Sequence, residues 1–246
     1  MDKKIKIIIL AAGLGKRMQN ENPKVLLKVK EKRMIEHLRD SIIEAQNTKP
    51  IAVIGHQAER VKAELGDSFS YVVQEQQLGT AHAVMMAQAE CKDIENVMVL
   101  YGDQPFIKSS TIKNIIKKHL DNDATITFAT TSVPDFKGFH KVFMTFARIL
   151  RDGEKIKSIR EFKDATEKEK EIREVNAGCY VFKASWLWKN LKNIDKKNAQ
   201  GEYYLTDLVP IALGDGEKIE TVNIEPREAM GANSKEDLEI LEGIEV

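Results

Sequence analysis

Three groups of residues in this 246-residue chain have types and spacings suited to handling charged ligands. The first is Leu10-Ala11-Ala12-Gly13-Leu14-Gly15-Lys16-Arg17, followed by a polar stretch to Pro23-Lys24. Small residues leave backbone N–H groups open to an anion, and Lys16, Arg17 and Lys24 add positive charge. A surface loop with solvated lysines is the plain alternative, since Gly-x-Gly alone is common. The second group is Gly102-Asp103, just after the apolar run Val97–Tyr101. A carboxylate there suits Mg²⁺, which takes one or two protein oxygens and completes its shell with phosphate oxygens and water. A tight turn on Gly102-Asp103-Gln104-Pro105 explains the same residues equally well. The third is Gln74, with Gly79 and Thr80 following. A glutamine amide can hydrogen-bond a pyrimidine edge, Gly79 permits close backbone approach, and Thr80 either meets the ligand or caps the next helix.

Two common nucleotide motifs are excluded. A dinucleotide fingerprint needs a third glycine opening a helix at once, and Met18 with a long polar loop stands there instead. The phosphate loop of ATPases needs Ser or Thr after Gly-Lys, and Gly15-Lys16 is followed by Arg17.

The elements that must position these groups alternate through the first half. Strand-like runs fall at Ile5–Leu10, Ile51–Ile54, Tyr71–Gln74 and Val97–Tyr101, and helical patterns at Met34–Ala45, Ala58–Leu65, Thr80–Ala89 and Thr111–Leu120. Short, wholly apolar strands between amphipathic helices predict an α/β fold with a mostly parallel sheet flanked by helices. Ligands of such sheets bind beyond the carboxyl ends of the strands, where all three groups lie. The second half is less regular. Thr125–Thr131, Lys141–Leu150, Ile156–Glu161, Cys179–Phe182 and Glu220–Ile224 read as strands, with a hairpin turn at Asp152-Gly153. Lys163–Arg173 reads as an exposed charged segment. Trp186–Leu191, Leu205–Leu213 and Lys235–Glu242 read as helices, the last capped by Ser234. One domain is expected, residues 1–125 forming a nucleotide-binding half and 126–246 a small substrate-facing lobe.

Lys plus Arg number 38 and Asp plus Glu 38. That balance argues against broad nucleic-acid or membrane-surface binding, which needs a basic face. No apolar stretch reaches the roughly 18 residues needed to span a bilayer. Cys91 and Cys179 have no metal-ligand spacing and read as reduced structural thiols, so a cytoplasmic location is expected.

The loop Leu10-Ala-Ala-Gly-x-Gly-x-Arg-Met18 with Pro23-Lys24-Val-Leu26 resembles the signature of the sugar-1-phosphate nucleotidyltransferases. The resemblance implies their Rossmann-like fold, a triphosphate held by Leu10 to Gly15, and charge stabilisation by Arg17 and Lys24. The string Gln74–Ala81 resembles the uracil-binding segment of the bacterial N-acetylglucosamine-1-phosphate uridylyltransferases, which implies base contacts for Gln74, Gly79 and Thr80. Leu100-Tyr-Gly-Asp103-Gln-Pro105 matches the segment providing the Mg²⁺ aspartate, and Gly231-Ala-Asn233 matches that of a second metal ligand. Glu161-Phe-Lys-Asp-Ala-Thr166, Val175-Asn176-Ala-Gly178 and Asn198–Asp207 resemble the segments around the acetamido sugar, implying sugar or phosphate contacts for Glu161, Asn176 and Thr206. The implied reaction joins UTP to N-acetylglucosamine 1-phosphate and releases pyrophosphate.

The family's sugar-binding turn reads Gly-Tyr-Gly-Arg-Ile, and Gly138-Phe139-His140-Lys141-Val142 is matched to it, with Gly138 as a sugar contact. His140 then places a side chain where the family presents bare backbone. The hexapeptide repeats of the family's acetyltransferase β-helix are absent from this sequence, so no acetyl-transfer activity is expected and the oligomeric state is left open. The rival readings are another transferase of the same fold, such as a molybdenum-cofactor nucleotidyltransferase, and a non-catalytic nucleotide-sugar sensor.

Overall fold

The computed structural model describes residues 4–13, 15 and 22–244. Strand β1 (Ile5–Ala11) is followed by a 3-10 turn, Lys24–Leu26, and a two-stranded ribbon of β2 (Lys28–Val29) and β3 (Lys32–Arg33). Helix α1 (Met34–Gln46), β4 (Ile51–Ile54), α2 (Ala58–Leu65), β5 (Ser70–Val73), α3 (Thr80–Met86), β6 (Asn96–Tyr101) and α4 (Ser109–Asp121) come next. The second half holds β7 (Ile126–Ser132), β8 (Arg148–Asp152), β9 (Lys155–Arg160), α5 (Glu167–Lys170), β10 (Glu174–Lys183), α6 (Ala184–Asn190) and α7 (Leu208–Gly214). It ends with β11 (Ile219–Asn223), α8 (Pro226–Ala229) and α9 (Lys235–Gly243).

The described strands form one main sheet in the order β11-β7-β10-β6-β1-β4-β5, with the β8–β9 hairpin attached at β10. The pairs β1–β4, β4–β5, β1–β6 and β7–β11 are parallel. Strand β10 runs antiparallel to both β6 and β7, so the mostly parallel sheet carries one reversed strand inside it. Period-two alternation explains the continuous apolar runs. Ile7 and Ile9 face one core layer with α1 and α4, while Ile8 faces the other with α3, α6 and α7. Strand β1 has β6 on one side and β4 on the other, so the chain reverses its winding at the carboxyl end of β1. That reversal opens the crevice where ligands of such sheets bind.

One expected strand is replaced. Within 141–150, residues Gly138–Thr145 form a 3-10 segment and only Arg148–Asp152 is extended. The cause is Arg148, fully buried, whose guanidinium donates to the carbonyls of Phe143, Met144, Phe146 and Lys170. Carbonyls turned inward toward one cation are aimed away from a neighbouring strand, and Phe136 and Phe162 close over its faces at 4.6 and 5.2 Å. The expected helix Leu205–Leu213 opens as a 3-10 turn, Leu205–Asp207, before α7. Ser234 caps α9 as expected, accepting from Asp237 N–H at 3.1 Å. No described helix is long and apolar enough to cross a membrane.

Candidate active site

The loops leaving β1, β5 and β6 meet at the crevice. Gly102 N–H donates to Leu10 O at 2.9 Å, which holds the β6 loop against the end of β1. A cavity of about 370 Å³ lies there, lined by Leu10, Ala11, Ala12, Gly13, Gly15 and Lys24, with Gln74, Gly79 and Thr80 opposite. A second chamber of about 730 Å³ carries Glu161 and Asn176 on one side and Gly231 and Asn233 on the other. Thr80, Tyr101, Asp103 and Glu202 line both, so the two chambers form one cleft with Asp103 at the junction. Arg17 lies outside the described residues.

At the junction, Lys24 Nζ is ion-paired with Asp103 Oδ2 and donates to Asn233 Oδ1 at 2.8 Å. These residues come from the loop after β1, the loop after β6 and the segment between α8 and α9. Ala232 N–H donates to Asp103 O at 3.2 Å and fixes the last two segments side by side. The Lys24 and Asp103 side chains are only 12% and 23% exposed, so the ammonium is shared between two oxygens largely withdrawn from water. Two oxygen donors aimed at one positive charge are what a small cation site requires.

In the smaller chamber, Gln74 is buried and its Nε2 donates to Gly79 O at 3.2 Å and to His82 Nδ1 at 2.9 Å. Burial holds His82 below the ordinary histidine value, and its neutral ring nitrogen can accept that bond. Gly79 has φ +117, and a Cβ there would stand 2.5 Å from Tyr203 O. Its glycine is therefore demanded by the neighbouring backbone: Ala81 N–H donates to Tyr203 O and Tyr203 N–H to Leu78 O. Thr80 does not cap its own helix. Its hydroxyl accepts from Leu205 N–H at 2.9 Å, completing a seam between the two halves of the chain.

In the larger chamber, Thr206 donates to Glu161 Oε1 at 3.0 Å, and Asn176 Oδ1 accepts from Gly178 N–H at 3.1 Å. Desolvation pushes the Glu161 carboxyl up to about 7, and Asp207, Asp164 and Glu202 add to the rise against the lowering effect of Thr206. Thr206 supports Glu161 from behind and is not itself among the residues lining either chamber. Gly178, at φ +74 in an irregular stretch of β10, leaves room for Tyr101, whose ring a Cβ would meet at 2.3 Å.

Gly138 is exposed and lies outside the lining of both chambers. The wall is formed instead by Thr145, Phe146 and Ala147. Thr145-Phe146-Ala147-Arg148-Ile149 carries the aromatic, small, Arg and Ile positions of Gly-Tyr-Gly-Arg-Ile seven residues later. The Arg-Ile pair offered this second register, and the lone glycine drew the match to Gly138. His140 lines neither chamber and contacts Asp135 at 3.3 Å. Sequence reading singled out none of Gln77, Tyr101, Gln104 and Glu202, although each stands inside a matched string, Gln74–Ala81, Leu100–Pro105 or Asn198–Asp207, and that membership was the available signal.

A family profile described as nucleotidyl transferase matches residues 6–225. The bifunctional protein GlmU of Thermoanaerobacter pseudethanolicus is 43% identical over 233 residues, covering 94% of this chain and 49% of that protein. GlmU of Desulfitobacterium hafniense is 38% identical over 238 residues, covering 96% of the chain and 51% of that protein. The chain thus spans about half the length of the curated relatives it matches. Among solved structures, one assigned as a glucose-1-phosphate thymidylyltransferase from Bacillus anthracis aligns with a TM-score of 0.79 at 21% identity, covering 98% of this chain and 97% of that one. A UDP-glucose pyrophosphorylase complexed with UDP-glucose aligns with a TM-score of 0.76 at 18% identity, covering 97% of both chains. These two extend the likeness of fold, and the profile, running from β1 through β11, shows that the chain belongs to the nucleotidyl transferase family.

Proposed function

We propose that this chain is a uridylyltransferase that makes UDP-N-acetylglucosamine and pyrophosphate from UTP and N-acetylglucosamine 1-phosphate. The observation that carries the reading is the junction, where Lys24, Asp103 and Asn233 converge between the two chambers. A triphosphate in the smaller chamber and a sugar phosphate in the larger one would meet there. The backbone of Leu10 to Gly15 would cradle the triphosphate, Arg17 would add charge from the same loop, and Gln74, Gly79 and Thr80 would frame the uracil. Glu161 and Asn176 would contact the sugar, with Thr206 steadying Glu161. Relatives named GlmU support this choice of substrates, as does the wording of Gln74–Ala81 and Asn198–Asp207. In this reading residues 1–125 form the nucleotide half and 126–246 the sugar half of one domain. Its substrates suit a cytoplasmic enzyme with buried, free cysteines.

The reaction is an in-line attack by a sugar-phosphate oxygen on the α-phosphorus of UTP, forming one P–O bond and breaking the bond to pyrophosphate. The attacking oxygen is already ionised near neutral pH, so the site needs no general base. Catalysis then rests on positioning and on charge placed beforehand. Asp103 and Asn233 would hold Mg²⁺: a carboxylate and an amide oxygen fit a cation that draws its remaining ligands from phosphate and water, and the Lys24 ammonium bridging them is a stand-in for that charge. The ion, when bound, neutralises phosphate charge and orients the phosphates. Lys24 then serves the negative charge that builds on the α-phosphate oxygens.

The test is a panel of nucleoside triphosphates against sugar 1-phosphates, scored by pyrophosphate release. UTP with N-acetylglucosamine 1-phosphate should be the best pair, and Asp103→Ala should abolish turnover while circular dichroism remains native. Preference for GTP or CTP would overturn the uridylyl assignment, and nucleotide-sugar binding without turnover would mark a sensor.

A further inference from the structure

Gln104 follows Asp103 and is 4% exposed, at the floor of the larger chamber. Its Nε2 donates two hydrogen bonds in different directions, to Ala177 O at 3.0 Å and Ala229 O at 2.9 Å. Ala177 lies between Asn176 and Gly178 in the irregular stretch of β10. Ala229 ends α8, from which the chain passes through Gly231 to Asn233. One amide nitrogen therefore ties the loop of Asp103 to the sugar-side wall and to the segment of the second oxygen donor. Packing is tight on both sides. A Cβ on Gly178 would stand 3.0 Å from Gln104 Oε1, and one on Gly231 would stand 3.2 Å from Gln104 Cγ. The residue before Ala229 in α8 is anchored separately, with Glu228 accepting from Lys108 N–H and the Thr111 hydroxyl.

The chemistry of the side chain is specific. Two carbonyls converge on one atom, so that atom must carry two hydrogens. A carboxylate would offer none and would repel both carbonyls, and an aliphatic side chain would leave both unbonded. The amide meets the demand although its own Oε1 is buried without a hydrogen-bond partner among the described residues.

We propose that Gln104 is a positioning residue that locks the Asp103–Asn233 oxygen pair to the Asn176 wall, holding the two chambers in one register. The inference rests on the uridylyl-transfer reading for what the chambers hold. Gln104→Met keeps the volume and removes both donors. For this variant, half-saturating Mg²⁺ and KM for N-acetylglucosamine 1-phosphate should rise together by about fivefold or more, and kcat should fall about tenfold or more, since small misplacements at a reacting centre are costly. KM for UTP, whose base contacts lie in the other chamber, should stay within about twofold. Mn²⁺ titrated into the nucleotide-free protein, followed by electron paramagnetic resonance, should bind more weakly to Gln104→Met than to wild type. A lowered melting temperature with unchanged Mg²⁺ requirement, Mn²⁺ binding and sugar-phosphate KM would overturn the proposal. If wild type releases no pyrophosphate from this substrate pair, the uridylyl reading fails, while Mn²⁺ binding still decides whether Gln104 positions the oxygen pair. If Gln104→Met does not fold, Gln104→Asn, whose shorter amide cannot reach both the Ala177 and Ala229 carbonyls, is put through the same Mn²⁺ titration and KM comparison, and unchanged values count against the clamp.

Discussion

Replacing Lys24 by Met should move metal affinity and turnover in opposite directions. In the structure the Lys24 ammonium occupies the point toward which Asp103 and Asn233 aim their oxygens. A divalent cation entering without nucleotide must displace it. The pair is mostly withdrawn from water, with side chains 12% and 23% exposed, so it is worth more than an exposed surface pair. A hydrogen bond to a charged group contributes about 1.5–3 kcal/mol. Relieving metal of that competition corresponds to roughly 10- to 100-fold tighter binding, at about 1.4 kcal/mol per factor of ten. The loss of a nearby positive charge acts in the same direction. Turnover should meanwhile fall by about 10²–10³, the usual cost of removing one preplaced group from developing charge. Mn²⁺ titration of the nucleotide-free protein by electron paramagnetic resonance reads the first effect, and pyrophosphate release under saturating substrates reads the second. Asp103→Asn should weaken Mn²⁺ in either background. If Mn²⁺ binds Lys24→Met no more tightly than wild type, Lys24 does not compete for the Asp103–Asn233 site and the cation assignment loses its basis.

Glu161 predicts a pH effect. Its carboxyl is raised from 4.5 to about 7, so its contribution to stability is complete below 4.5 and is lost as pH rises through 7. The melting temperature of wild type relative to Glu161→Gln should therefore decline across that window, and a constant difference would show that Glu161 does not titrate there. Gly79→Ala should destabilise the protein by about 2–4 kcal/mol in urea unfolding, because the new methyl group meets the Tyr203 backbone at a φ that disfavours side chains. A loss under about 0.5 kcal/mol would mean that the seam yields easily. Arg148→Met leaves the carbonyls of Phe143, Met144, Phe146 and Lys170 without their donor, which should cost about 3–5 kcal/mol and lower the melting temperature by roughly 10 °C. An unchanged melting temperature would show that water replaces the guanidinium there.

The first half of the fold was legible because its inner strands β1, β4 and β6 are buried on both faces along most of their length. An apolar run such as Ile51–Ile54 matches its strand residue for residue, and the helices between strands show a clear apolar stripe. Ribbon β2–β3 and the reach of β10 from Glu174 to Lys183 were not legible, since pairing partners decide where such strands extend. Among candidate site residues, those in long local strings (Leu10, Ala11, Ala12, Gly13 and Gly15; Gln74, Gly79 and Thr80; Asp103) were found at the cleft. Gly138 was not, because its match rested on one glycine while a buried arginine ten residues later set the backbone.

The sequence by itself determined an α/β chain with an anion-suited loop and a carboxylate at the end of a strand, since local periodicity and small residues specify strands and exposed N–H groups. Only the tertiary structure decided that Lys24 would stand between Asp103 and Asn233, from segments 79 and 209 residues away. It alone decided that Gly79 serves the Tyr203 backbone, and that Gln104 bonds two carbonyls at once. These are meetings of distant segments, fixed by close packing and by the need of buried polar groups for partners, and neither condition has a period or spacing along the chain.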